Sequence, residues 1–94
     1  MFMHVLAFEY LGGYRIKVRF TDETSKEIDL ASELYGEVFE PLRDLDRFRQ
    51  VYLSPETGTL EWPNGADFAP EYLYEIGVTV PALGWQPNAA LAVA

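Results

Sequence analysis

Apolar and polar positions alternate along residues 4 to 20, "HVLAFEYLGGYRIKVRF", with Leu6, Phe8 and Tyr10 on one arm and Tyr14, Ile16, Val18 and Phe20 on the other. A period of two marks half-buried strands, and the central Gly12-Gly13 marks a turn, so the segment predicts a β-hairpin. A two-residue loop would set Phe8 beside Lys17 and Leu6 beside Arg19. A three-residue loop, Leu11 to Gly13, pairs Tyr10 with Tyr14, Phe8 with Ile16 and Leu6 with Val18, and is the register expected here, with Gly13 left-handed. After "TDETS" a third strand, "KEIDL", turns Ile28 and Leu30 inward and sets Glu27 and Asp29 toward the basic stripe of Arg15, Lys17 and Arg19. Opposite charges on adjacent strands make that stripe a solvated sheet face.

The period changes over residues 31 to 50, where Val38, Phe39, Leu42, Leu45 and Phe48 recur at three- and four-residue intervals. Short helical turns covering the sheet are expected, limited by Pro41 and Asp44, with Asp44 capping a turn that runs through Arg49. Period two returns in "VYLSPETGTLEW", a second hairpin that pairs Leu53 with Leu60 and places Val51 beside Trp62 on a buried face. Pro63, Asn64-Gly65 and Pro70 then reverse the chain into a helix. Ala69, Tyr72, Leu73 and Ile76 form its apolar face, Glu71, Tyr74 and Glu75 look outward, and Gly77 stops it. The fold class expected is α+β: one domain over residues 1–77, followed by a Pro/Ala-rich extension, 78–94, anchored by Trp85.

Composition narrows the chemistry. Ninety-four residues with 49% hydrophobic and 15% aromatic content suit one aromatic-rich core. The absence of cysteine removes disulfides, zinc-thiolate sites and thiol nucleophiles together. "MFMHVLAFEYLGG" offers neither a basic leader nor an uninterrupted apolar span, so a soluble cytoplasmic protein is expected. Seven basic against 15 acidic residues give a formal charge of −8, which opposes nucleic-acid binding by this chain alone and favours a basic or neutral protein partner. His4, the single histidine, has no second ligand at metal-binding spacing, and neither a phosphate loop nor a nucleophile elbow is present. No cofactor or metal is expected.

The elements "VFEPLRD" and "FRQVYLSPETGTLEWPNGADFAPEYLYE" together resemble the bacterial family named domain of unknown function 2442, over about residues 4 to 76. The resemblance implies a small bacterial α+β domain, in some members joined to a helix-turn-helix, and often one half of a two-gene cassette of toxin-antitoxin type. It implies no reaction. Members commonly carry an acidic or small polar residue before the helix proline. Ala69 stands there in this chain, which shifts the capping role toward Asp67 or water. The segment "VTVPALGWQPNAALAVA" is too short and too rich in Pro and Ala to be a helix-turn-helix.

Two functions follow as expectations. The first is an acidic protein-binding module, antitoxin-like or regulatory, that docks its partner through Trp62, Asn64, Asp67, Glu71 and Tyr74; homo-oligomers are compatible with it. The second is a small enzyme with a site near Asn64 and Asp67, joined by His4. A concave pocket around Asp67 would favour the enzyme, and a flat aromatic, acidic face the module. The module is the favoured reading.

Overall fold

The computed structural model describes residues 3–81. Its main sheet is antiparallel and four-stranded, built from β1 (Val5–Gly12), β2 (Arg15–Phe20), β3 (Ser25–Asp29) and β6 (Val78–Val80), in the order β1-β2-β3-β6. Between β3 and β6 the chain makes two 3-10 turns, Ala31–Glu33 and Glu40–Arg43, then α1 (Leu45–Phe48), the hairpin β4 (Tyr52–Ser54) and β5 (Thr59–Glu61), and α2 (Pro70–Ile76). Antiparallel hairpins with short helical segments make this an α+β domain.

The first hairpin forms with a different register. Phe8 pairs with Val18 and Tyr10 with Ile16, and two bulges, at Leu6 and Leu11, interrupt the ladder. The turn is therefore Gly13-Tyr14 between Gly12 and Arg15, rather than Leu11 to Gly13. The offset from the expected pairing is two residues, which conserves parity, so Ile16, Val18 and Phe20 still face the core. The bulge at Leu6 does change a face. It lets Val5 and Phe8, three residues apart, both point inward, and turns Leu6 out to solvent. Gly12 and Gly13 have φ of 107° and 55°, so Gly13 is left-handed as expected.

On β3, Ile28 and Leu30 are buried, and the outer face pairs Arg15 with Asp29 and Lys17 with Glu27 in register. An Arg15–Glu27 ion pair crosses the same face. Asp44 caps α1 by accepting from the Asp46 N–H at 2.9 Å, and Arg49 follows as its C-terminal residue. Of the apolar residues expected to cover the sheet, Leu42 and Phe48 are buried, whereas Val38 and Leu45 are exposed. The reason is local: separate 3-10 and α turns do not keep one helical phase.

Leu53 pairs with Leu60 in the second hairpin, and Val51 and Trp62 are buried with them. A backbone bond from Val5 N–H to Gly58 O, 2.8 Å, joins this hairpin to β1. Phe48 is ringed by Tyr10, Tyr14 and Trp62, with centroids 6.2, 5.2 and 5.5 Å away, so aromatic side chains fill the space where the two hairpins meet.

The regular structure does not close at Gly77. Gly77 stops α2 with extended backbone, φ −75° and ψ 156°, and the chain continues as β6 along the edge of β3. Gly77 serves a close approach instead of a left-handed cap: a Cβ there would lie 2.9 Å from both Ile28 Cγ1 and Lys26 Cβ. Trp85 and the rest of residues 82–94 lie outside the described residues. Among the described residues, no helix is long and apolar enough to cross a membrane.

Candidate functional site

The corner after β5 is built by its backbone. Pro63, Asn64 and Gly65 turn the chain so that Trp62 N–H donates to Ala66 O at 2.9 Å, and Gly65 takes φ 91°. Asn64 fixes the turn from inside, its Oδ1 accepting from the Ala66 N–H at 3.1 Å and its Nδ2 donating to Val38 O at 2.9 Å. Thr59 Oγ1 donates to Phe68 O at 2.5 Å, and Asp67 forms an isolated bridge with Glu61. Together these contacts set the entry to α2.

The five residues expected to dock a partner separate into different environments. Trp62 is buried, with its indole N–H committed to Phe48 O at 2.9 Å and its ring 5.9 Å from Phe68, so it is part of the core. Asn64, Asp67 and Glu71 are exposed. Asp67 does not cap α2: the N-cap is Ala69, without a side-chain hydrogen bond, and Pro70 at the first helical position lowers the number of orphan donors.

Tyr74 and Tyr72 exchange their expected orientations. Tyr74 packs edge-on against Phe20 at 5.1 Å, lies under the Lys26 ammonium at 3.8 Å, and donates its hydroxyl to Asp22 Oδ2 at 2.8 Å. Lys26 Nζ also donates to Tyr74 O at 2.5 Å, supplying a partner for a carbonyl near the C-terminus of α2. The Asp22 carboxyl is held below its usual pKa, first by the Thr24 N–H and then by the Tyr74 hydroxyl. Ala69 is exposed as well, leaving Leu73 as the buried residue of the helix. With only seven residues, α2 buries Leu73 fully and packs Tyr74 and Ile76 partly against the core, and Lys26 lies over the ring of the tyrosine that turns in.

Tyr72, facing out, completes an aromatic row that the sequence reading missed. Phe39 stacks on Phe68 at 4.6 Å, and Phe68 stacks on Tyr72 at 6.2 Å. Tyr35, close enough to Tyr72 to affect its titration, is 65% exposed, Val38, next to Phe39 in the chain, is 47% exposed, and Tyr72 itself is 38% exposed. The Tyr72 hydroxyl donates to Glu33, which pushes its pKa up to about 12, and Tyr35 and Glu75 lie close enough to add to the shift. Glu37 and Glu40 line a neighbouring concavity with Gly36 and Pro41. Asn64, through Val38 O, ties this aromatic and acidic face to the corner. The usable signal in the sequence was "ELYGEVFE", where aromatic and acidic residues interleave around a glycine.

Behind the corner, a concavity of about 400 Å³ is lined by Leu42, Arg47, Gln50, Trp62, Pro63 and Asn64, and its lining does not include Asp67. The contacts of His4 run elsewhere: its N–H donates to Thr21 Oγ1 at 3.3 Å, and its ring covers Gly58. Among the described residues, no group of three or more His, Cys, Asp or Glu could hold a metal ion.

No curated protein and no solved structure matches the chain. The family model described as "Protein of unknown function (DUF2442)" matches residues 5–79, a span that takes in both hairpins, the corner, α2 and part of β6. The chain belongs to this family.

Proposed function

We propose that the chain is a protein-binding module whose working surface is the aromatic, acidic face around Tyr35, Val38 and Tyr72, and that its partner presents a basic surface with an apolar centre. The observation that carries this reading is the stacked row Phe39, Phe68 and Tyr72, with exposed Tyr35 near Tyr72 and exposed Val38 next to Phe39 in the chain. Tyr72, held at the surface by stacking, loses little entropy on binding, and tyrosine is enriched at interfaces. Glu33 and Glu75 beside Tyr72, Glu37 and Glu40 in the concavity with Gly36 and Pro41, and the formal charge of −8 favour encounter with a cationic partner. An antitoxin-like or regulatory role is the form of binding that the family resemblance implies.

Site-specific photo-crosslinking tests this reading. A photoreactive phenylalanine analogue at position 35 should capture one basic protein in cells of the source organism, whereas the same group at position 15, on the opposite charged sheet face, should not. Equal capture of the same protein at both positions, or none at position 35, would remove the face from the proposal.

A further inference from the structure

We propose that the concavity behind the corner binds a small organic monocarboxylate, anchored by Arg47. Its lining shares no residue with the aromatic face, to which Asn64 joins it through Val38 O. Its exposed apolar wall is Pro63, backed by the almost fully buried Leu42 and Trp62, whose indole N–H is already given to Phe48 O. Its rim carries N–H donors. Asn64 is held by Val38 O and the Ala66 N–H, which leaves its second amide hydrogen unused by either contact. Gln50 Nε2 reaches Asp46 O only at 3.3 Å, a long bond that a better acceptor can replace.

Arg47 supplies the charge. Its side chain is exposed, and its ion pair is with Asp44, Nε to Oδ2 at 4.0 Å, the outer limit of such a contact. The neighbouring carboxylate of Asp46 is engaged by Arg49. None of the six lining residues is acidic, in a chain with 15 acidic and seven basic residues. A guanidinium fork beside two amides and the apolar wall of Pro63 matches a carboxylate on a compact apolar body. One cation within a net negative chain selects a monoanion over a phosphate dianion.

The test is a titration of the full chain with benzoate, followed through its amide and indole N–H resonances. Saturable shifts are expected at the Trp62 indole and the Gln50 and Asn64 side-chain amides, with apparent affinity about 10-fold or more weaker in Arg47→Gln, since charge-assisted hydrogen bonds are the strong ones. Because Arg47 is exposed, the variant should keep the wild-type spectrum elsewhere, which verifies its fold. Benzamide should not saturate, and inorganic phosphate should bind more weakly than benzoate. Absence of saturation by benzoate in the tens of millimolar, equal binding by Arg47→Gln, equal binding of benzamide, tighter binding of phosphate, or shifts confined to another surface would each overturn the assignment.

Discussion

The Tyr74 hydroxyl donates to the Asp22 carboxylate at 2.8 Å, joining α2 to the turn between β2 and β3 across 52 residues of chain. Lys26 sits over the same ring and bonds the same residue's carbonyl. Tyr74 is thus a structural clamp. Tyr74→Ala should lower stability by about 2 kcal/mol or more, through the lost ring packing and the lost contact of the Lys26 ammonium with the ring, although Lys26 keeps the backbone carbonyl. Tyr74→Phe keeps the ring and should cost only ~1 kcal/mol. Urea unfolding of the two variants separates ring from hydroxyl.

The same contact has a pH signature. Asp22 has a depressed folded-state pKa, so its contribution is present above the ordinary carboxylate value of about 3.9 and is lost as pH falls below that toward the folded value. Melting temperature measured between neutral and strongly acidic pH should fall less steeply at the acid end in Asp22→Asn than in wild type. Identical slopes would show that Asp22 is not held by Thr24 and Tyr74 in solution.

Tyr72 gives the opposite sign. Its folded pKa of about 12 exceeds the unfolded value of 10.0, so its contribution is complete below 10.0 and is lost as pH rises toward the folded value. Glu33→Gln should bring the Tyr72 pKa down, because the hydrogen bond to Glu33 is the largest cause of the shift. Carbon-13 labelling of the tyrosine Cζ atoms resolves this titration from those of the other five tyrosines.

Two glycines should fail for different reasons. Gly13 has φ 55° with open space around it, so Gly13→Val is strained in the backbone and should cost about 1 kcal/mol or more. Gly77 has ordinary φ, but an added methyl meets Ile28 and Lys26 at 2.9 Å, so Gly77→Ala should cost about 1 to 3 kcal/mol by overpacking. Thermal unfolding of both variants checks the pair, and a neutral Gly77→Ala would mean that β6 does not lie against β3 as described.

The two hairpins were legible because a two-residue period survives almost any tertiary context, and the Leu53–Leu60 pairing followed from it directly. The register of the first hairpin was not, since bulges at Leu6 and Leu11 leave no mark in an alternating sequence. β6 was missed because "VTV" is three residues long and merges with the Pro-rich segment after it. At the corner, the chain reversal into α2 was legible but the orientation of its two tyrosines was not. A seven-residue helix with two tyrosines two positions apart does not reveal which one turns inward, and the decision rests on Lys26 and Asp22, 48 and 52 residues away in the chain.

The proposed binding face is tested most directly by one paired measurement on Tyr35→Ser/Val38→Ser: melting temperature, and affinity for the protein captured at position 35. Both side chains are exposed, so the melting temperature should stay close to wild type, as surface changes within about 0.5 kcal/mol require. Affinity should fall ~30-fold or more, the equivalent of the ~2 kcal/mol of an interface hot spot. Wild-type affinity in a variant that melts like wild type would contradict the assignment of this face as the site of binding.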